Sequence, residues 1–178
     1  MLRQACRLIP FERSIPAGVQ ISAELVWRRE GWLELSYGVL ARAAKGIGVL
    51  KLPAGLNDGP QQGQRKDELW TTTCFEAFIA APGEQRYWEV NLAANGDWAL
   101  YRFDGYRSGQ TQQELSTPPT VRLQRGLHQL RLDARIALEP WWTPDVCPDL
   151  ALTAVTVSYT HLRAHETVLD LVCRLLLE

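Results

Sequence analysis

Residues 19–40 read "VQISAELVWRREGWLELSYGVL", with apolar side chains at every second position on either side of the Arg-Arg-Glu-Gly at 28–31. Successive side chains of an extended chain point to opposite faces. Val19, Ile21, Ala23, Leu25 and Trp27 therefore share one face, and Leu33, Leu35, Tyr37 and Val39 share one face of the next segment. A short polar connection between two such segments predicts an antiparallel hairpin in which each strand buries one side.

The same period runs through most of the chain, and little of it reads as helix. "IGVLKLP" at 47–53 is expected to be a short strand, followed by an exposed loop, "AGLNDGPQQGQRK", at 54–66. In "DELWTTTCFEAFIA" at 67–80, Trp70, Thr72, Cys74, Glu76 and Phe78 fall on one face, with Thr71, Thr73, Phe75, Ala77 and Ile79 on the other. "YWEVNLAA" and "DWALYRFD" flank Asn95-Gly96, a strong hairpin turn. "SGQTQQELSTPP" at 108–119 reads as a second long loop. In "TVRLQRGLHQLRLDARIAL" at 120–138, a turn at Gly126 separates two more strands. "EPWWTPD" at 139–145 can hold a turn of helix before a last strand, "DLALTAV". Roughly nine short strands with turn-rich connections predict an all-β fold, an antiparallel β-sandwich.

A chain of 178 residues with 46% hydrophobic content suits one domain with its own core. Nineteen basic residues stand against 20 acidic ones, so no strongly positive field favours nucleic acid or an anionic membrane as a partner. The start, "MLRQACRLIPFERSIP", lacks the apolar core of a signal peptide, and no apolar run is long enough to span a bilayer, so a cytoplasmic location is expected. Seven tryptophans are the unusual feature, supplying both core volume and flat stacking surfaces.

Residues 157–178, "VSYTHLRAHETVLDLVCRLLLE", do not resemble the rest. Two parts of the segment back-translate into DNA similar to sequencing-library adaptors. It is therefore expected to be adaptor-derived, with residues 1–156 as the domain and the join near Thr156. His161 and His165, four apart, then carry no zinc reading, and His128 is the one remaining histidine. The cysteines reduce to Cys6, Cys74 and Cys147, with no CxxC pair, which argues against a disulfide framework or a zinc site. Without the segment's two arginines and three acids, 17 charges of each sign remain, a neutral domain.

"ELWTTTCFEAFIA" followed by "YWEVNLAANGDWALYRFDGYR" resembles the central signature of bacterial DOMON-like proteins, which are related to the family 9 carbohydrate-binding modules. The resemblance covers most of residues 1–156, including the opening strand ending in "LIP" and the "LPAG" segment. It implies a β-sandwich that binds a small ligand, sugar or haem in different relatives. Similar proteins continue past "LTAV" into a Tyr-Trp strand, a His-Pro and an Asp-Phe-His segment that this chain lacks. The domain is thus expected to be C-terminally truncated, with a sheet edge at which residues of the terminal segment can pair.

If the strands at 68–80, 86–93 and 97–104 are neighbours, Glu76, Glu89, Asn91, Trp98, Arg102 and Tyr87 can gather on one sheet face. An aromatic plane with carboxylate, amide and guanidinium groups is what sugar recognition needs. The alternative is that Glu76 and Arg102 form a buried structural pair. Glu76 and Glu89 can in principle do glycosidase acid and base work, but no independent nucleophile constellation accompanies them. Trp141 and Trp142 offer a stacking platform if one of them is exposed. Asp104, Tyr106 and Arg107 read as a turn with side-chain hydrogen bonds. The expected function is non-catalytic binding of a small, carbohydrate-type ligand without a cofactor; a scaffold with no ligand is the alternative. Haem ranks below both, since Met1 and His128 are the only axial-ligand candidates in 1–156.

Overall fold

The computed structural model describes residues 1–10, 18–143, 146–157 and, for the backbone alone, 169–175. The chain forms β1 (Leu2–Arg7), β2 (Ile9–Pro10), β3 (Val19–Arg28), β4 (Trp32–Ala41), β5 (Gly59–Gln61), β6 (Cys74–Ala80) and β7 (Tyr87–Ala93). It continues through β8 (Trp98–Phe103), β9 (Thr111–Gln112), β10 (Thr120–Arg125), β11 (Gln129–Ala137), β12 (Asp149–Thr156) and β13 (Leu169–Leu175). The first sheet has the order β1-β3-β4-β11-β10-β5, and the second β2-β13-β12-β6-β7-β8-β9. All strand pairings are antiparallel. This is the expected antiparallel β-sandwich.

The two sheets meet through the alternation that the hairpin at 19–40 announced. Val19, Ile21, Ala23, Leu25 and Trp27 of β3 are all buried, as are Leu33, Leu35, Tyr37 and Val39 of β4. Opposite them the second sheet presents Phe75, Ala77 and Ile79 of β6, Val90 and Leu92 of β7, and Leu150, Leu152 and Ala154 of β12. Burial of such surface stabilises at about 25 cal/mol per Å². Tyr37 spans the interface, its ring 4.9 Å from that of Phe75 and its hydroxyl donating 2.6 Å to the Glu76 carbonyl. Burial pushes the Tyr37 phenol well above its usual value, and the Glu76 charge adds to the shift. At one end of the core, Trp27, Trp88, Trp141 and Trp142 interlock, with ring centroids 5.4 to 6.3 Å apart.

Four local expectations change, the first being that the strand expected at 68–80 begins only at Cys74, with Leu69–Thr71 curled into a 3-10 turn. The segment at 47–53 is not a strand: residues Gly46–Val49 form a 3-10 turn. The Ile47 N–H is drawn to Leu127 O at 2.9 Å, and Leu50 N–H closes back onto Ile47 O at 3.0 Å, which curls the chain. The two long loops each carry a short strand, β5 and β9, that adds to a sheet edge. Trp141 and Trp142 are both buried, at 6% and 7% exposure, so neither forms an exposed platform. Their backbone N–H groups both turn back to Leu138 O, and their indole N–H groups donate to Ala137 O and Val146 O.

The Asn95-Gly96 turn forms as expected, with Ala93 N–H bonded to Asp97 O at 2.8 Å. A second segment of the same chain, around Gly63, crosses it. A Cβ on Gly63 would lie 1.8 Å from Gly96 O, so the crossing admits no side chain. Asp97 ties the crossing together, accepting from Gln64 N–H at 3.1 Å and from Asn95 Nδ2 at 3.0 Å. β13 falls in the segment read as adaptor-derived, and its backbone pairs with β12 along Leu150–Thr156, extending the second sheet toward β2. His161 and His165 lie outside the described residues.

Candidate functional site

Residues 64–72 leave the Gly63 crossing, bond beside the start of β8 through Trp98 and Gln64, and then fold over the outer face of the second sheet. Leu69 packs there on Cys74, Ala93, Ala99, Tyr101, Phe103 and Val155, a second apolar cluster outside the main core. Tyr101 fixes the fold-over by donating its hydroxyl 2.6 Å to Asp67. Burial and the Asp67 carboxylate together push that phenol up. The second sheet is thus apolar on both faces under this cover, and Trp70, 36% exposed, stands at the border of the open part.

The open part is a groove of about 660 Å³. Glu76, Phe78 and Glu89 line it together with Thr153 of the neighbouring β12. One side is formed by Tyr87 and Phe103, stacked in parallel with centroids 4.7 Å apart and an interplanar angle of 5°. The turn after β8 forms the rim, where Tyr106 is 84% exposed and the Arg107 guanidinium lies 5.4 Å from the Tyr106 ring centre. The Tyr87 hydroxyl accepts from Arg107 N–H at 3.5 Å, which ties the rim to the stacked wall. Burial pushes the Tyr87 phenol up against the lowering effect of that bond, with Glu89 adding to the rise.

The carboxylates are fixed acceptors. Glu76 is 8% exposed, and its Oε2 receives the Thr153 hydroxyl at 2.7 Å. The Cys74 thiol donates to Oε1 at 3.5 Å, and burial, reinforced by Glu76, holds that thiol well above its usual value. Asn91, fully buried, donates its amide to Glu89 Oε1 at 2.8 Å. Strand register explains the gathering: Glu76 lies opposite both Thr153 and Asn91, and Phe78 lies opposite both Ala151 and Glu89.

Four of the six expected site residues, Glu76, Glu89, Asn91 and Tyr87, therefore do share one face. Trp98 and Arg102 do not. Asn91 pairs with Ala99 and Glu89 with Tyr101, so the odd-numbered residues of β8 face the groove side and the even-numbered ones face inward. Trp98, opposite Leu92, is 7% exposed in the main core, with the Arg65 guanidinium 5.7 Å from its ring centre. Arg102, opposite Trp88, bonds Asp104 at 3.2 Å, so in place of the alternative buried pair with Glu76 there is a partly exposed pair on the other side of the sheet. Phe78 lies on the Glu76 face by alternation and Trp70 reaches the groove from the 3-10 turn Leu69–Thr71, and neither is among the expected site residues. Phe103, Tyr106, Arg107, Gln110 and Thr153 also line the groove. Phe103 needed the observed register of β7 against β8, and Thr153 the pairing of β12 with β6, and no local signal encodes either.

Among the described residues no group of three or more His, Cys, Asp or Glu side chains is placed to hold a metal ion. His128 bonds Ala41 O at 3.0 Å, on the first sheet.

No protein-family model and no curated protein matches the chain. Solved structures do match. A proposed carbohydrate-binding protein of Bacteroides uniformis is similar over 95% of this chain and 77% of its own, with a TM-score of 0.57 and 12% identity. A family 9 carbohydrate-binding module of Caldicellulosiruptor kristjanssonii, solved in complex with cellotriose, is similar over 94% of this chain and 72% of its own, with a TM-score of 0.50 and 13% identity. The chain has a β-sandwich fold like that of the family 9 carbohydrate-binding modules.

Proposed function

We propose that the chain is a non-catalytic binding domain that holds a carbohydrate in the groove on the outer face of the second sheet. The observation that carries this reading is the groove itself, in which exposed aromatic planes at Trp70 and Tyr106 border two fixed carboxylates. A sugar ring has C–H faces that pack on aromatic planes and hydroxyls that donate to carboxylates. Arg107 and Gln110 supply donors at the rim for hydroxyl oxygens. Glu76 and Glu89 each already accept a hydrogen bond from a neighbour, an arrangement suited to orienting hydroxyls rather than cycling protons. The fold likeness to a carbohydrate-binding module solved with cellotriose agrees with this reading.

Calorimetric titration with glucose, cello-oligosaccharides and a panel of other neutral sugars tests it. At least one sugar should bind, and Trp70→Ala and Tyr106→Ala should each weaken it about tenfold while the melting temperature holds. Binding that is absent across the panel, or indifferent to both substitutions, overturns the proposal.

A further inference from the structure

On the opposite side of the sandwich, the outer face of the first sheet holds a depression of about 460 Å³. Register explains its shape. One row crosses four strands side by side: Arg7 of β1 opposite Ser22 of β3, Ser22 opposite Gly38 of β4, and Gly38 opposite Arg131 of β11. With strands about 4.8 Å apart, the two arginine backbones stand roughly 14 Å from each other across a floor of one hydroxyl and no side chain. Gln20 and Gln129, both opposite Leu40, form the next row, and Gln124 extends the first beyond Arg131. Glycine inside a strand costs stability and often marks a place where another molecule approaches closely.

The charges around the trough are unequal. The row on its other side holds Glu24 and Asp133, but each is engaged: Glu24 by Arg3 at 2.5 Å, Asp133 by Ser36 at 2.6 Å and Arg131 at 2.8 Å. Arg125 at the far wall is matched by Asp58 at 3.5 Å. Among the described residues Arg7 has no ion-pair or hydrogen-bond partner and no acid lines the depression. The surplus among these described residues is positive.

We propose that this trough is a second binding site, separate from the sugar groove, for a small polar molecule carrying an oxyanion. Arg7 is the primary contact, with Arg131 supporting it from the opposite bank, since guanidinium groups match carboxylate and phosphate oxygens. The amides of Gln20 and Gln129 serve hydroxyls on the same molecule. Gly38 is the specificity device, because any side chain there fills the floor.

The test is titration of the isotopically labelled full chain with glucuronate, with glucose 6-phosphate and with neutral glucose, read by amide chemical shifts. At least one anion should shift signals around Arg7, Ser22 and Gly38, and more weakly as salt is raised. Tighter glucuronate binding identifies a carboxylate source, tighter glucose 6-phosphate binding a phosphate source. Gly38→Val should abolish these shifts without lowering the melting temperature, as the added Cβ meets only the movable Ser22 hydroxyl, at 2.9 Å. Arg7→Gln, on an edge strand, should keep the fold and weaken binding roughly fivefold to tenfold. Trp70→Ala should change nothing here. The proposal is overturned if neither anion shifts these signals at up to ~20 mM, if binding survives Gly38→Val, or if glucose shifts the same signals as strongly as the anions.

Discussion

On the outer face of the first sheet, Arg3 meets Glu24, Arg28 and Arg135 share Glu34, and Arg131 meets Asp133, with Arg135 also lying 4.0 Å over the Trp32 ring. On the outer face of the second, Cys74, Ala93, Ala99, Tyr101, Phe103 and Val155 are buried beneath residues 67–72, and the acids Glu76 and Glu89 are held by Thr153 and Asn91. The first face lets solvent screen its charges, so each pair contributes little. The second holds Glu76, Asn91 and Thr153 away from water, so their hydrogen bonds are made within the sheet. The covered face is where a nearly buried acceptor, Glu76, lies in one groove with aromatic side chains.

Two glycines test this contrast most severely. Gly63→Ala, at the crossing beside the covered face, forces a methyl into the Gly96 backbone and should cost about 3 kcal/mol or more in urea denaturation. Gly38→Ala, in the middle of the wet face, should be neutral or stabilise by up to about 1 kcal/mol. Equal losses at both positions would break the comparison. A middle-sized effect is expected at Thr153→Val, which takes a hydrogen bond from the buried Glu76 carboxylate and should destabilise by about 2 kcal/mol in the same measurement. The corresponding wet-face change, Ser36→Ala, removes a bond to an Asp133 that Arg131 still serves, and should cost less.

The smallest effect separates the two faces by pH. Tyr101 has a phenol raised above its usual 10.0, so the folded chain keeps a proton that the unfolded chain loses. Its stability is intact below about pH 10 and is lost as pH rises from there toward the folded value. Burial pushes the Asp133 carboxyl up, but the hydrogen bonds from Arg131 and Ser36, with the Arg131 charge, outweigh it and leave the group below 3.8. Its contribution is present above about pH 4 and is lost as pH falls through the folded value. Melting curves against pH should therefore show Tyr101→Phe flattening the alkaline limb and Asp133→Asn the acid limb, the latter by less than about 1 kcal/mol because the group is partly exposed.

The same contrast explains what the sequence could reveal. Strands β3 and β4 have one wet face, so alternation alone identifies their buried residues. Strand β8 is nearly all buried: Trp98, Ala99, Leu100, Tyr101 and Phe103 are below 9% exposure, and Arg102 alone is more open. With both sides apolar, periodicity does not say which faces the groove, and Trp98 and Arg102, expected on that face, lie on the other. The acid in "CFEAFIA" was a usable signal because it broke an apolar run, and it does mark the groove face. The cover at 67–72 and the rim at Tyr106 and Arg107 depend on contacts between segments far apart in the chain, beyond the reach of local pattern.

The tryptophan quartet of Trp27, Trp88, Trp141 and Trp142 also divides the optical properties of the protein. Indoles this close and held at fixed angles couple their excited states, so they should dominate the near-ultraviolet dichroism and lose that signal when the sheets separate. Trp70 stands outside the quartet at the border of the groove. A ligand entering there should change emission intensity and wavelength through Trp70 while leaving the dichroism of the quartet in place. Binding and unfolding would then have separate spectroscopic signatures in one unlabelled sample.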